Sequence, residues 1–171
     1  MRYLTVFLVA GVLALPALVM AAGGGGGGGS MPSASSAPQV DLRAEYKSGL
    51  EALGVQNYKK AIKHFRSVTD GAPKLADAHN WLGYSYRKSG NSKAALKSYL
   101  KALKLEPNHA GANEYLGELY LEQKDLPKAE ERMTVLNSCC AATSQAKQLA
   151  DALAEYKAGG TFTAKAPLLS Y

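Results

Sequence analysis

The chain has 171 residues, 47% of them hydrophobic and 20% charged, with a formal net charge of +6. That balance suits a globular domain and excludes a wholly disordered one. The positive excess comes without the aromatic stacking pattern of an RNA-binding sheet or the spacing of a zinc finger, so no nucleic acid is expected as partner.

From Tyr3 to Ala22 the sequence is apolar and uncharged, behind Met1 and Arg2. Small residues around Ala21 and Ala22 predict a signal peptide over residues 1–22 that is cleaved there. The other reading is an uncleaved anchor, because about 20 apolar residues can span a bilayer. Both carry the remainder across a membrane, and a bacterial periplasm is the expected compartment, the chain being free there or held at the inner membrane. No cysteine follows the apolar run, which excludes a lipid-modified N-terminus of the bacterial lipoprotein type. Seven glycines from Gly23 to Gly29 and the Ser/Pro-rich stretch to Pro38 have no apolar face to bury, so residues 23–41 read as a flexible tether.

Beyond the tether the sequence compares with itself at intervals of about 34 residues. Gly49, Gly83 and Gly117 share that spacing, as do Ala61, Ala95 and Ala129, and also Phe65, Tyr99 and Met133. Small residues are needed where two helices cross closely, and the larger ones are predicted to fill the space one turn further along. Leu82, Tyr86, Leu116 and Tyr120 recur at three- and four-residue steps and give each first helix an apolar stripe. Asn57, Asn91 and Asp125 precede the second helices as N-caps, Gly90 suits a helix end, and Pro73 and Pro107 stop the second helices.

These residues, with text such as WLGYSYRKSGNSKAALKSYLKALKLEP from Trp81 to Pro107, resemble the tetratricopeptide repeat family. The resemblance implies an all-α solenoid of three helix-turn-helix repeats, at 42–75, 76–109 and 110–143. A capping helix at 144–158 follows, with Ala146, Leu149, Leu153 and Tyr156 on one face to cover the last repeat. Gly159-Gly160 ends it, and the tail 159–171 carries Phe162, Leu168, Leu169 and Tyr171 either docked on the solenoid or loose.

The family's inner wall is formed by the first helix of each repeat, and its ligand-facing positions fall here on Tyr46, Leu50, Asn80, Tyr84, Arg87, Glu114 and Glu118. Asn80 stands where members hold a bound peptide's backbone through a side-chain amide. The basic clamp that grips an acidic C-terminus in some members needs cations from more than one repeat, whereas the third repeat offers glutamates. A protein or peptide ligand with both an acidic and a basic or polar section is therefore expected, and no clamp. The implied function is an exported adaptor or scaffold, helping to assemble an envelope complex. The alternatives are a membrane-anchored structural component or a self-assembling chain whose end repeats pair.

Lys59, Lys63, Lys93, Lys97, Lys101 and Lys104 lie at helical steps on the second helices, as a solvated ridge or one drawn to an anionic membrane or acidic partner. His64, His79 and His109 occupy unrelated repeat positions, and no phosphate loop, dinucleotide fingerprint or nucleophile elbow is present. No enzyme activity, metal or cofactor is expected. Cys139 and Cys140 are adjacent; a bridge between neighbours demands an unusual geometry. One thiol is thus expected in the interior and the other near the surface, with an intermolecular disulfide as the alternative in an oxidising compartment.

Overall fold

The computed structural model describes residues 40–165 and 167. The signal or anchor segment, nearly all of the tether, and Leu168, Leu169 and Tyr171 of the tail lie outside the described residues. Seven helices follow one another: α1 (Leu42–Gly54), α2 (Tyr58–Gly71), α3 (Ala76–Lys88), α4 (Ser92–Leu105), α5 (Ala110–Glu122), α6 (Leu126–Cys139) and α7 (Ser144–Gly159). No strand occurs among the described residues, and none of their helices is long and apolar enough to cross a membrane.

Local chemistry sets the helix starts. A short polar side chain outside each second helix accepts from an amide that has no intrahelical partner. Asn57 accepts from Lys60, Asn91 from Ala94 and Asp125 from Lys128, at 3.1, 3.1 and 3.2 Å. Asp41 and Thr143 do the same for α1 and α7. The α5 start is capped by a histidine: Nδ1 of His109 accepts from the Ala112 amide at 3.2 Å. Each first helix of a repeat leaves through a left-handed residue, at Gln56 (φ 55°), Gly90 (φ 84°) and Lys124 (φ 61°). Only the middle repeat uses glycine at this position, so the other two carry the steric cost of a Cβ there.

The helices pair as α1/α2, α3/α4 and α5/α6, and neighbouring pairs stack through α2 with α3 and α4 with α5. At the crossings of the first two repeats there is no room for a side chain. A Cβ added at Gly49 would lie 2.7 Å from the Phe65 ring, and one at Gly83 would lie 2.7 Å from the Tyr99 ring, both rings being fully buried. The third repeat departs from the expected pattern. Met133 is only half-buried, and the space over Gly117 is taken by Leu149 of α7, 2.6 Å from a Cβ placed there. The physical reason is that the unbranched Met133 fills that space less completely than a ring, so α7 packs against both α5 and α6. Leu121, Ala129, Leu136, Ala146, Leu149, Ala152 and Leu153 form the resulting terminal core.

The cysteines also correct their expectation. Cys139 and Cys140 are bonded to each other, with Cα atoms 3.8 Å apart, and neither is buried. Helix α6 ends at Cys139, and Cys140 leaves the helical conformation (φ −150°, ψ 33°), which allows neighbouring side chains to turn to the same side.

Two substitutions test this packing by urea unfolding. Gly83→Ala is expected to cost about 2–3 kcal/mol, because its methyl group overlaps a ring that has nowhere to move, whereas Gly159→Ala, with open space around it, costs nothing measurable. Gln56→Gly relieves a left-handed residue and is expected to raise stability by about 0.5–1 kcal/mol.

Candidate functional site

The first helices α3 and α5 touch directly, and α5 touches α7, so these helices line one wall. Residues one period apart stand side by side along it. Tyr46, Asn80 and Glu114 occupy one level, and Leu50, Tyr84 and Glu118 the next. All but Tyr46 are buried.

Three of the seven, Tyr84, Arg87 and Glu118, are held together, and Glu114 stands in their electrostatic surroundings. Arg87, buried at 5% exposure, donates from Nη2 to Glu118 Oε2 at 2.5 Å and from Nη1 to Glu122 Oε1 at 2.9 Å. Its guanidinium also lies 5.7 Å from the centre of the Tyr84 ring and 5.8 Å from that of Tyr115. A planar cation with several donors suits this double pairing, which a lysine could not reproduce. Tyr84 and Tyr115 pack at 5.0 Å, and Trp81 joins each at 6.1 Å. Among the described residues Arg87 is the one buried arginine, and two carboxylates already hold it.

Glu114 takes no part in this bonding. The residue is 1% exposed, and neither carboxyl oxygen has a hydrogen-bond partner. Burial, with a further push from Glu118 and a counter-pull from Arg87, raises its pKa to about 9. Glu118 is also raised, by burial first, with Arg87 opposing. Asn80 stands beside Gly111 on α5, and its Oδ1 is likewise buried without a partner.

Leu50 lies in the apolar cluster that includes Tyr84 and Tyr115. Tyr46 is engaged elsewhere: Trp81 Nε1 donates to its hydroxyl at 2.9 Å, and its ring meets Phe65 edge-on at 5.7 Å. Burial raises the Tyr46 hydroxyl to about 12, with Asp77 adding to this and the Trp81 bond opposing it, so it stays neutral at physiological pH. The three histidines are each bound separately, His64 to Glu45, His79 to the Pro73 carbonyl and His109 to Asp77.

Sequence reasoning missed Glu122, Trp81 and Tyr115. A usable signal was present, because residues on adjacent first helices meet at separations close to one period. Arg87 reaches Glu118 and Glu122 at 31 and 35 residues, Trp81 reaches Tyr46 at 35, and His109 reaches Asp77 at 32.

An opening of about 310 Å³ lies at the end of this wall, bounded by Leu53, Gly54, Gln56, Tyr58, Tyr84 and Lys88. The extended C-terminal segment returns over it, and Ala164 and Pro167 complete its lining. Phe162 packs on the terminal core, the Thr163 amide donates to Glu155 at 2.8 Å, and Lys165 pairs with Asp151 at 2.7 Å. The tail is thus docked as far as it is described.

The raised Glu114 pKa has a stability consequence. Between the ordinary value of 4.5 and about 9 the folded chain holds a proton that the unfolded chain has released, so stability falls as pH rises through that window. The slope reaches at most about 1.4 kcal/mol per pH unit for one proton. Urea unfolding from pH 6 to pH 9 is expected to show this decline in wild type and a clearly shallower one in Glu114→Gln.

A sequence profile described as tetratricopeptide repeat matches residues 46–96 and 82–132. Superkiller protein 3 of Schizosaccharomyces pombe is 31% identical over 107 residues, covering 63% of this chain and 8% of that protein. The uncharacterized protein ycf37 of Pyropia yezoensis is 36% identical over 72 residues, 41% of this chain and 40% of its own length. The chain therefore spans less than half the length of these curated relatives. Among solved structures, the type III secretion chaperone SycD of Yersinia enterocolitica, in complex with a peptide of the translocator YopD, has 18% identity and a TM-score of 0.60. It covers 67% of this chain and 87% of its own, and at that identity the likeness concerns the fold. The matched profile spans just over half of the sequence and coincides with the paired helices, and this chain belongs to the tetratricopeptide repeat family.

Proposed function

We propose that this protein is an exported adaptor that binds an extended segment of a partner protein along the wall formed by α1, α3, α5 and α7, and thereby helps assemble a complex in the cell envelope. The observation that carries the reading is the docked tail. A stretch of this chain without secondary structure already closes over the opening bounded by Leu53, Tyr58, Tyr84 and Lys88, a place whose shape and mixed polarity suit an extended peptide. The half-buried Trp81 presents aromatic area with little rotamer freedom to lose, a property of binding hot spots. The SycD structure, whose fold is similar, holds a peptide of YopD. Export is supported by the apolar, uncharged run from Tyr3 to Ala22 behind Arg2.

On this reading Tyr46, Leu50, Asn80, Tyr84, Arg87, Glu114 and Glu118 fall into two kinds. Tyr46, Leu50, Tyr84, Arg87 and Glu118 give the wall its shape and charge from within, whereas Asn80 and Glu114 keep unsatisfied polar atoms for a ligand. Lys88, at the rim beside Tyr84, is half-buried and available.

The test is recovery of envelope proteins on the tagged chain after crosslinking. The double variant Asn80→Ala, Lys88→Glu is expected to lose at least about 1.4 kcal/mol of partner affinity, a tenfold drop in recovery. A control on the outer ridge, Lys97→Glu with Lys101→Glu, is expected to retain it. Equal recovery on the first variant, with its helical circular dichroism intact, would move function off the wall.

A further inference from the structure

We infer that the ligand segment delivers a basic side chain, a lysine or arginine, to Glu114 and Asn80. The inference rests on the groove reading above and adds the chemistry of one ligand residue.

The first argument is an inventory of unpaired groups. Among the described residues, the buried atoms of this wall that lack a hydrogen-bond partner include Oδ1 of Asn80 and both oxygens of Glu114, three acceptors once Glu114 gives up its proton. Unpaired donors are also present, the Nε atoms of Arg87 and Arg132 and the hydroxyl of Tyr99, and none of them bonds to Glu114 or to Asn80 Oδ1. Leaving such groups without partners is costly, and native structures rarely do so without a reason. A group that satisfies three acceptors must bring several N–H bonds. An ammonium has three and a guanidinium five, whereas a carboxylate has none.

The second argument is charge. Glu114, Glu118 and Glu122 face Arg87 and the half-buried Lys88. Arg87 is committed to Glu118 and Glu122, and Glu114 is the carboxyl left without an ion pair. Among the described residues the buried cation of this wall, Arg87, is already paired and Lys88 lies at the rim, so the mixed ligand expected from sequence narrows to a basic one at the level of Glu114. An incoming cation takes the place of the proton that burial otherwise keeps on Glu114.

The third argument is position. Asn80 and Glu114 lie one period apart on adjacent helices, with Gly111 beside the Asn80 amide, where a larger residue would crowd it. The level below them holds Tyr84, whose ring centre lies 5.7 and 5.9 Å from the Arg87 and Lys88 cations.

The probe is an array of capped eight-residue Ala/Ser peptides with one central lysine or arginine, and twins with norleucine or glutamate at that site, tested on the full-length exported chain. Wild type is expected to retain basic peptides at least about tenfold better than norleucine twins, and Glu114→Gln to reduce that preference below about twofold while keeping its helical circular dichroism. Equal retention of lysine and norleucine peptides by wild type, or an undiminished preference in Glu114→Gln, overturns the inference and leaves the groove reading standing. Preference for glutamate peptides overturns it as well. Retention of no peptide at all overturns both.

Discussion

The approach of two helices over a ring is the constraint on which the rest depends. At Gly49 over Phe65 and at Gly83 over Tyr99 the backbone of one helix rests on the aromatic face of its partner, with no space for a methyl group. This contact fixes how far apart the helices of a pair stand, and hence where the next pair is placed. The wall follows from it, because only helices held at a constant interval bring residues one period apart to the same level.

At the end of the array the same contact is made by a different residue. Leu149 of α7 covers Gly117 where Met133 of α6 was expected, so α7 is part of the third repeat's core as well as its cap. A terminal repeat has an apolar face and no neighbour to cover it, and α7 supplies that neighbour from within the chain. The tail that leaves it, held by Phe162, Thr163 and Lys165, is consequently directed back along the wall.

The wall combines an ion-paired network with a pair of residues whose acceptors are unused. Arg87 with Glu118 and Glu122 is an ion-pair group, and removing Arg87 or Glu118 would leave the other as an unpaired buried charge or force it to pair elsewhere. Glu114 and Asn80 sit beside it with acceptors unused. The first arrangement gives the wall a fixed shape, and the second gives it a place where binding energy remains to be gained.

The period, the N-caps at Asn57, Asn91 and Asp125, and the small residues at Gly49 and Gly83 were legible in sequence because each is a local requirement repeated at a fixed interval. The ligand-facing positions were legible only as places on the first helices. Their burial, the choice of Glu118 and Glu122 over Glu114 as partners of Arg87, and the bonding of Tyr46 to Trp81 depend on side chains separated by about one repeat, whose meeting requires the superhelix to exist first. The substitution of Leu149 for Met133 and the bond between Cys139 and Cys140 likewise belong to the tertiary structure. Sequence determines which residues are capable of each contact through periodicity and local backbone preference; packing decides between candidates, because volume and the pairing of buried polar groups are settled only when all neighbours are in place.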